Sequence, residues 1–144
     1  MRRLLPGILL LTLALGVAGC DDNTTNTPNT PTTPTTPSTP TTTETFTGTL
    51  QKNGGLTFPF TSTAGGTVAV TLTSLAPDSA LQIGLSLGTW TGSACQIVIA
   101  NDKASQSAIV TGAVTAAASL CVRVYDPAST VNTPSDFTVT VVHP

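Results

Sequence analysis

Few residues in this chain could carry chemistry. The 144 residues include one histidine, three cysteines, seven acidic and five basic side chains. His143 lies one residue from the C-terminal end of the sequence, where a chain end tends to fray. A triad needs such a ring held by a carboxylate and aimed at a hydroxyl or thiol, so His143 is a poor candidate base. Asp78, Asp102, Asp126 and Asp136 stand singly beside turn formers, which suits Asx-turns and strand-end caps. No pair of acids suggests a glycosidase, and no His/Cys/acid cluster suggests a metal site. Five basic residues are too few for a phosphate-neutralising surface, so no nucleic-acid partner is expected. The chemistry that remains is that of Cys20, Cys95 and Cys121, with Trp90, Arg123 and Tyr125 as candidate ligand-binding residues. No catalytic residue, metal or cofactor is expected, and the protein is read as a non-enzyme.

Trp90 occurs in Gly88-Thr89-Trp90-Thr91-Gly92, which reads as a polar loop just ahead of Cys95. An indole placed there could stack on a sugar ring or anchor a partner protein, or it could pack over a cysteine bridge. Arg123 and Tyr125 are two apart in an alternating run, hence on one face of a strand. They form either a ligand-facing patch or a solvated sheet face.

The segment that positions the whole chain is the first. Arg2 and Arg3 precede a mainly apolar run, Leu4 to Val17, followed by Ala18, Gly19 and Cys20. As a helix that run would measure roughly 20 Å, short of the ~30 Å hydrocarbon core, so it reads as an export signal (residues 1–19) and not a permanent span. Val17-Ala18-Gly19-Cys20 resembles the lipobox of bacterial lipoproteins. The resemblance implies cleavage before Cys20, thioether lipidation of Cys20 and, in many bacteria, N-acylation. Two or three acyl chains hold a protein durably at a bilayer, at ~0.8 kcal/mol per buried CH₂. The expected location is the bacterial cell envelope, with outer membrane or cell surface favoured. Asp21 matches the inner-membrane retention signal of enteric-type sorting, which keeps the inner membrane open.

With Cys20 acylated, Cys95 and Cys121 remain as a pair. In an exported protein they are expected to form a disulfide closing a loop of about 26 residues, which contributes on the order of 3–4 kcal/mol.

Residues 20–44 read as the lipidated cysteine and a linker. From Asn23 to Thr43 the chain holds only Asn, Thr, Ser and Pro, with Pro28, Pro31, Pro34, Pro37 and Pro40 every third residue. That period matches the polyproline II turn, and the stretch carries nothing that could build a core. It is expected to be a disordered, semi-rigid stalk reaching roughly 60 Å if fully extended.

Residues 45–144 hold all the aromatic side chains and alternate with period two. Strands are expected near 45–50, 56–62, 67–74, 81–87, 95–100, 107–114, 119–125 and 137–142, divided by turn formers such as Asn53-Gly54-Gly55 and Pro77-Asp78. Pro59 cannot donate to a ladder and must lie at an edge or bulge. Ala113 to Leu120 is the one stretch that could pass for helix. Trp90 precedes both cysteines, which does not fit the immunoglobulin pattern. The expected fold is all-β, a jelly-roll or Greek-key sandwich of about eight strands.

Phe46 to Leu50, Phe58 and Phe60, then Ala64-Gly65-Gly66-Thr67 leading into Val68-Ala69-Val70-Thr71-Leu72, and the closing Phe137-Thr138-Val139-Thr140-Val141 are similar to the bacterial pre-peptidase C-terminal (PPC) family. The resemblance spans most of residues 45–144. It implies a compact, non-catalytic β-sandwich of secreted and surface proteins, in some members a binding module for polymers. The middle run Leu81-Gln82-Ile83-Gly84-Leu85 has no acidic residue, so no calcium site is carried over. Together these readings describe a lipid-anchored envelope protein displaying a β-sandwich that binds glycan or protein. The alternative is a purely structural or assembly-linked lipoprotein.

Overall fold

The computed structural model describes residues 40–144. The expected signal peptide, the expected lipidation site Cys20 and most of the Thr/Pro segment lie outside the described residues. Eight strands follow one another: β1 (Thr42–Leu50), β2 (Gly55–Ser62), β3 (Gly66–Ala76), β4 (Ile83–Trp90), β5 (Cys95–Ala104), β6 (Ile109–Val114), β7 (Ala118–Tyr125) and β8 (Ser135–His143). They form two four-stranded antiparallel sheets, ordered β1-β8-β3-β6 (sheet A) and β2-β7-β4-β5 (sheet B).

The pairs β1·β8, β2·β7, β3·β6 and β4·β5 are all hydrogen-bonded neighbours. That nested pairing is a long hairpin rolled on itself, the jelly-roll form of sandwich. Alternation explains the layers. Val68, Val70 and Leu72 of β3, with Val139 and Val141 of β8, point inward and are fully buried, against Ile83 and Leu85 of β4 and Val122 and Val124 of β7. Phe46 of β1 stacks on Phe58 of β2 with ring centroids 5.1 Å apart, and Phe58 meets the edge of Phe137 at 6.0 Å. The aromatic side chains thus join the two sheets at the β1/β2 side.

Pro59 lies on β2, which pairs with β7 alone and is an edge strand, as the missing N–H requires. Ala113 to Leu120 forms the end of β6, a turn and the start of β7; alanine content there loses to sheet pairing. β1 begins at Thr42, three residues before the expected start at 45 and two before the composition changes at Glu44. Thr42 to Glu44 pair with His143 to Val141 of β8, and this long-range ladder recruits threonines that resemble linker by composition.

Strand β4 is buried on both faces from Ile83 to Gly88. Ile83, Leu85 and Leu87 face the core; Gly84, Ser86 and Gly88 are covered from outside. A Cβ on Gly84 would lie 2.5 Å from the Tyr125 ring, and one on Gly88 would lie 2.2 Å from the Gln96 carbonyl oxygen. Glycine at these positions lets the ring and the β5 backbone lie directly on the sheet. Beside Gly88 the disulfide Cys95–Cys121 joins β5 to β7 across β4, with Cα atoms 5.8 Å apart.

Candidate functional site

The expected disulfide is present. It also organises its surroundings: it holds the start of β5 over Gly88, so the hairpin after Trp90 is pulled onto the outer face of sheet B. Trp90 is therefore not in a loop. It is the last residue of β4, half-buried and paired with Cys95, and the turn that follows is closed by the Thr91 amide donating to Ala94 O at 3.0 Å. Gly88, which looked like the start of a turn, is needed for close approach within a strand.

Arg123 and Tyr125 share the outer face of sheet B, as their spacing implies. The Arg123 guanidinium lies 5.4 Å from the Tyr125 ring centroid. The Tyr125 hydroxyl donates to Asp102 on β5, a partner that sequence spacing could not reveal. Burial against Gly84, together with the hydrogen bond to Asp102 and that carboxylate's charge, pushes the Tyr125 hydroxyl up to about 12, with Arg123 opposing. Within the cluster the Tyr125 hydroxyl is bonded to Asp102, and Arg123 adds its charge over the ring. Trp90 does not join it: the row Gly88/Cys121 and the bridge lie between.

His143 is not frayed. It is 2% exposed, with Nε2 3.0 Å from Glu44 Oε1 and Nδ1 3.0 Å from the Pro144 carbonyl oxygen, and its ring packs against Phe60 at 5.1 Å. Both ring nitrogens are thus engaged by acceptors, and neither addresses a hydroxyl or thiol. The same Pro144 oxygen accepts the Thr63 amide at 3.1 Å and the Ser62 hydroxyl at 3.2 Å, which ties the end of β8 to sheet B.

Asp78 and Asp126 serve the connections, as their turn contexts suggested, whereas Asp102 and Asp136 lie within strands and bond side chains of other strands. Asp78 Oδ1 accepts the Ala80 amide, and Asp136 accepts the Thr49 hydroxyl at 2.6 Å. Asp126 is 8% exposed, and the Asn53, Thr130 and Val131 amides and the Thr130 hydroxyl donate to it. Burial alone would raise its carboxyl, but those donors outweigh burial and hold it below the usual carboxylate range. Among the described residues, no three His, Cys, Asp or Glu side chains come together as a metal cage would require.

One surface was missed by sequence reasoning. The β5 run Gln96 to Ala100 reads as a buried strand, yet Ile97 is 42%, Val98 69% and Ile99 37% exposed, with Ile109 of β6 at 59%. The cause is register. Leu87 pairs with Ile99 and Gly88 with Ile97, so Val98 is an extra, unpaired residue, and a second irregularity follows between Ile83 and Leu85. These bulges twist the edge of sheet B outward. They leave a cleft of about 120 Å³ between the sheets, lined by Val98, Ile99, Leu87, Leu120, Gly112 and Val114. A second groove of about 290 Å³ crosses sheet A, lined by Thr47, Thr49, Thr138, Ser74 and Asp136 among others. No signal in the residue types marks a bulge in so apolar a run, although the lack of any charge from 84 to 101 marks the strand as unusual.

No protein-family model matches the chain, and no curated protein matches it.

Proposed function

We propose that this is a non-catalytic, lipid-anchored protein of the bacterial cell envelope, displaying its jelly-roll domain as an interaction module. The lipobox-like Val17-Ala18-Gly19-Cys20 and the Thr/Pro segment support the anchor and stalk, and the glycine and apolar spacings similar to the PPC family support a display role. The observation that carries the interaction reading is the uncovered apolar edge of β5, where Ile97, Val98 and Ile99 are exposed in succession and Val98 and Ile99 line an open cleft. Scattered apolar side chains are ordinary on a surface; a contiguous group beside an apolar hollow marks a contact surface.

That edge favours a protein partner. A photo-cross-linking residue at Val98 of the intact protein, tested in cells against one at Thr45 on β1, separates the cases. Adducts to a protein at position 98 and none at 45 support the reading; none at either position overturns it. Adducts of one fixed stoichiometry would identify the assembly-linked form, with an envelope component as permanent partner. A glycan ligand is the second reading, favoured by the hydroxyl-lined groove on sheet A. Glycan-array binding that survives Val98→Asp and is lost with Thr47→Val and Thr138→Val would establish it.

A further inference from the structure

We propose that one end of the sandwich, the end bearing Trp90 and the start of β1, rests on the lipid bilayer surface. Because every neighbouring pair is antiparallel, the connections fall alternately at two ends of the domain. Thr42 pairs with His143, Ser62 with Ala118 and Gly66 with Val114, so these strand ends share one end with the connections 63–65, 91–94 and 115–117. Pro144, bonded to Ser62 and Thr63, ties the two sheets together there.

Charge is sorted between the ends. The three connections at the Trp90 end read Thr63-Ala64-Gly65, Thr91-Gly92-Ser93-Ala94 and Thr115-Ala116-Ala117, without a charged residue. The opposite end carries Lys52, Asp78 and Asp126 in its connections, and Asp102, Lys103, Arg123 and Asp136 in the adjoining strand segments. The one acid near the Trp90 end, Glu44, is bonded to His143. Trp90 is half-buried at that end.

Moving charge toward lipid is costly, whereas indole favours the water–lipid interface. An end whose connections carry no charged side chain, and which bears a tryptophan, can therefore approach a bilayer at lower desolvation cost than the opposite end. The chain preceding Pro40 joins at this same end, so an anchor at Cys20 would deliver it to the membrane. Without basic residues there, the contact does not depend on anionic lipid. The proposal rests on the lipid-anchored reading above and adds which surface faces the bilayer.

Trp90 is the only tryptophan in the chain and reports the contact directly. The intact lipidated protein is reconstituted into phosphatidylcholine vesicles containing headgroup-proximal doxyl lipid. The expected result is a blue-shifted Trp90 emission, partly lost to the doxyl groups, unchanged by anionic lipid or high salt. Ser93→Glu combined with Ala117→Glu, both at exposed positions, restores the emission without lowering the melting temperature. Vesicle-bound protein whose Trp90 ignores doxyl lipid and is quenched by aqueous iodide would overturn the proposal while leaving the anchor intact. So would quenching that the double variant leaves unchanged. Protein that does not float with vesicles would overturn both the anchor and the contact.

Discussion

Replacing Gly88 with alanine tests how β5 is laid over sheet B. An ideal Cβ at this position would sit 2.2 Å from the Gln96 carbonyl oxygen and 3.0 Å from the Ile97 Cα. Both obstacles are backbone, and Cys95, one residue before Gln96, is bridged to Cys121. A flexible side chain could swing aside; this backbone cannot without straining the bridge. Overpacking in a well-packed interior costs typically ~1–3 kcal/mol, and a pinned backbone belongs at the upper end. For a domain of this size, ~3 kcal/mol corresponds to a fall in melting temperature of roughly 12–24 °C. Calorimetric melts of the oxidised protein and of Gly88→Ala measure it. The same comparison in a Cys95→Ala, Cys121→Ala background should show a smaller cost, because β5 is then free to lift. A Gly88→Ala protein that melts within a few degrees of the parent, or an equal cost in both backgrounds, would refute the close crossing.

Two further predictions concern titration. The Asp126 carboxyl is held below its ordinary value, so its contribution to stability is complete above the unfolded-state value near 3.8 and is lost as pH falls through the folded one. Asp126→Ala should cost about 3 kcal/mol at neutral pH, as expected for several bonds to a charged acceptor, and the gap to the parent should narrow below about pH 4 in denaturant titrations. Tyr125 is the only tyrosine, so the phenolate absorbance of the native protein should titrate at about 12, and Asp102→Asn should bring it back toward 10. A native midpoint near 10 in the parent would mean that neither the burial of the ring against Gly84 nor its bond to Asp102 holds in solution.

The strands were legible because alternation is a local signal: Val68-Ala69-Val70-Thr71-Leu72 and Phe137-Thr138-Val139-Thr140-Val141 can bury one face only as strands. Pro59 likewise announced an edge through its own chemistry. What could not be read depends on partners distant in the chain. Thr42 and Thr43 join β1 only because β8 offers a ladder, and that ladder brings Glu44, 99 residues away in the chain, to the His143 ring. Trp90 was misplaced because Gly88 and Gly92 look alike in sequence. Gly92 has φ 94° and makes a turn, whereas Gly88 lies beneath another strand. Of the candidate ligand-binding residues, Arg123 and Tyr125 were brought together as their spacing implied, and Trp90 belongs to a different part of the surface. The apolar edge escaped notice because a bulge reverses which side chains are covered without altering residue type. The sorting of charge was present in the chain throughout, but it acquires meaning only once strand direction assigns each turn to an end.

The proposed fastening of the chain is tested most directly by intact-mass and peptide mass spectrometry of the protein purified from the cells that make it. The predicted result is a chain beginning at Cys20, with that residue carrying diacylglyceryl and acyl mass and no free thiol at Cys95 or Cys121. A chain that retains residues 1–19, or one whose Cys20 is unmodified, would contradict it.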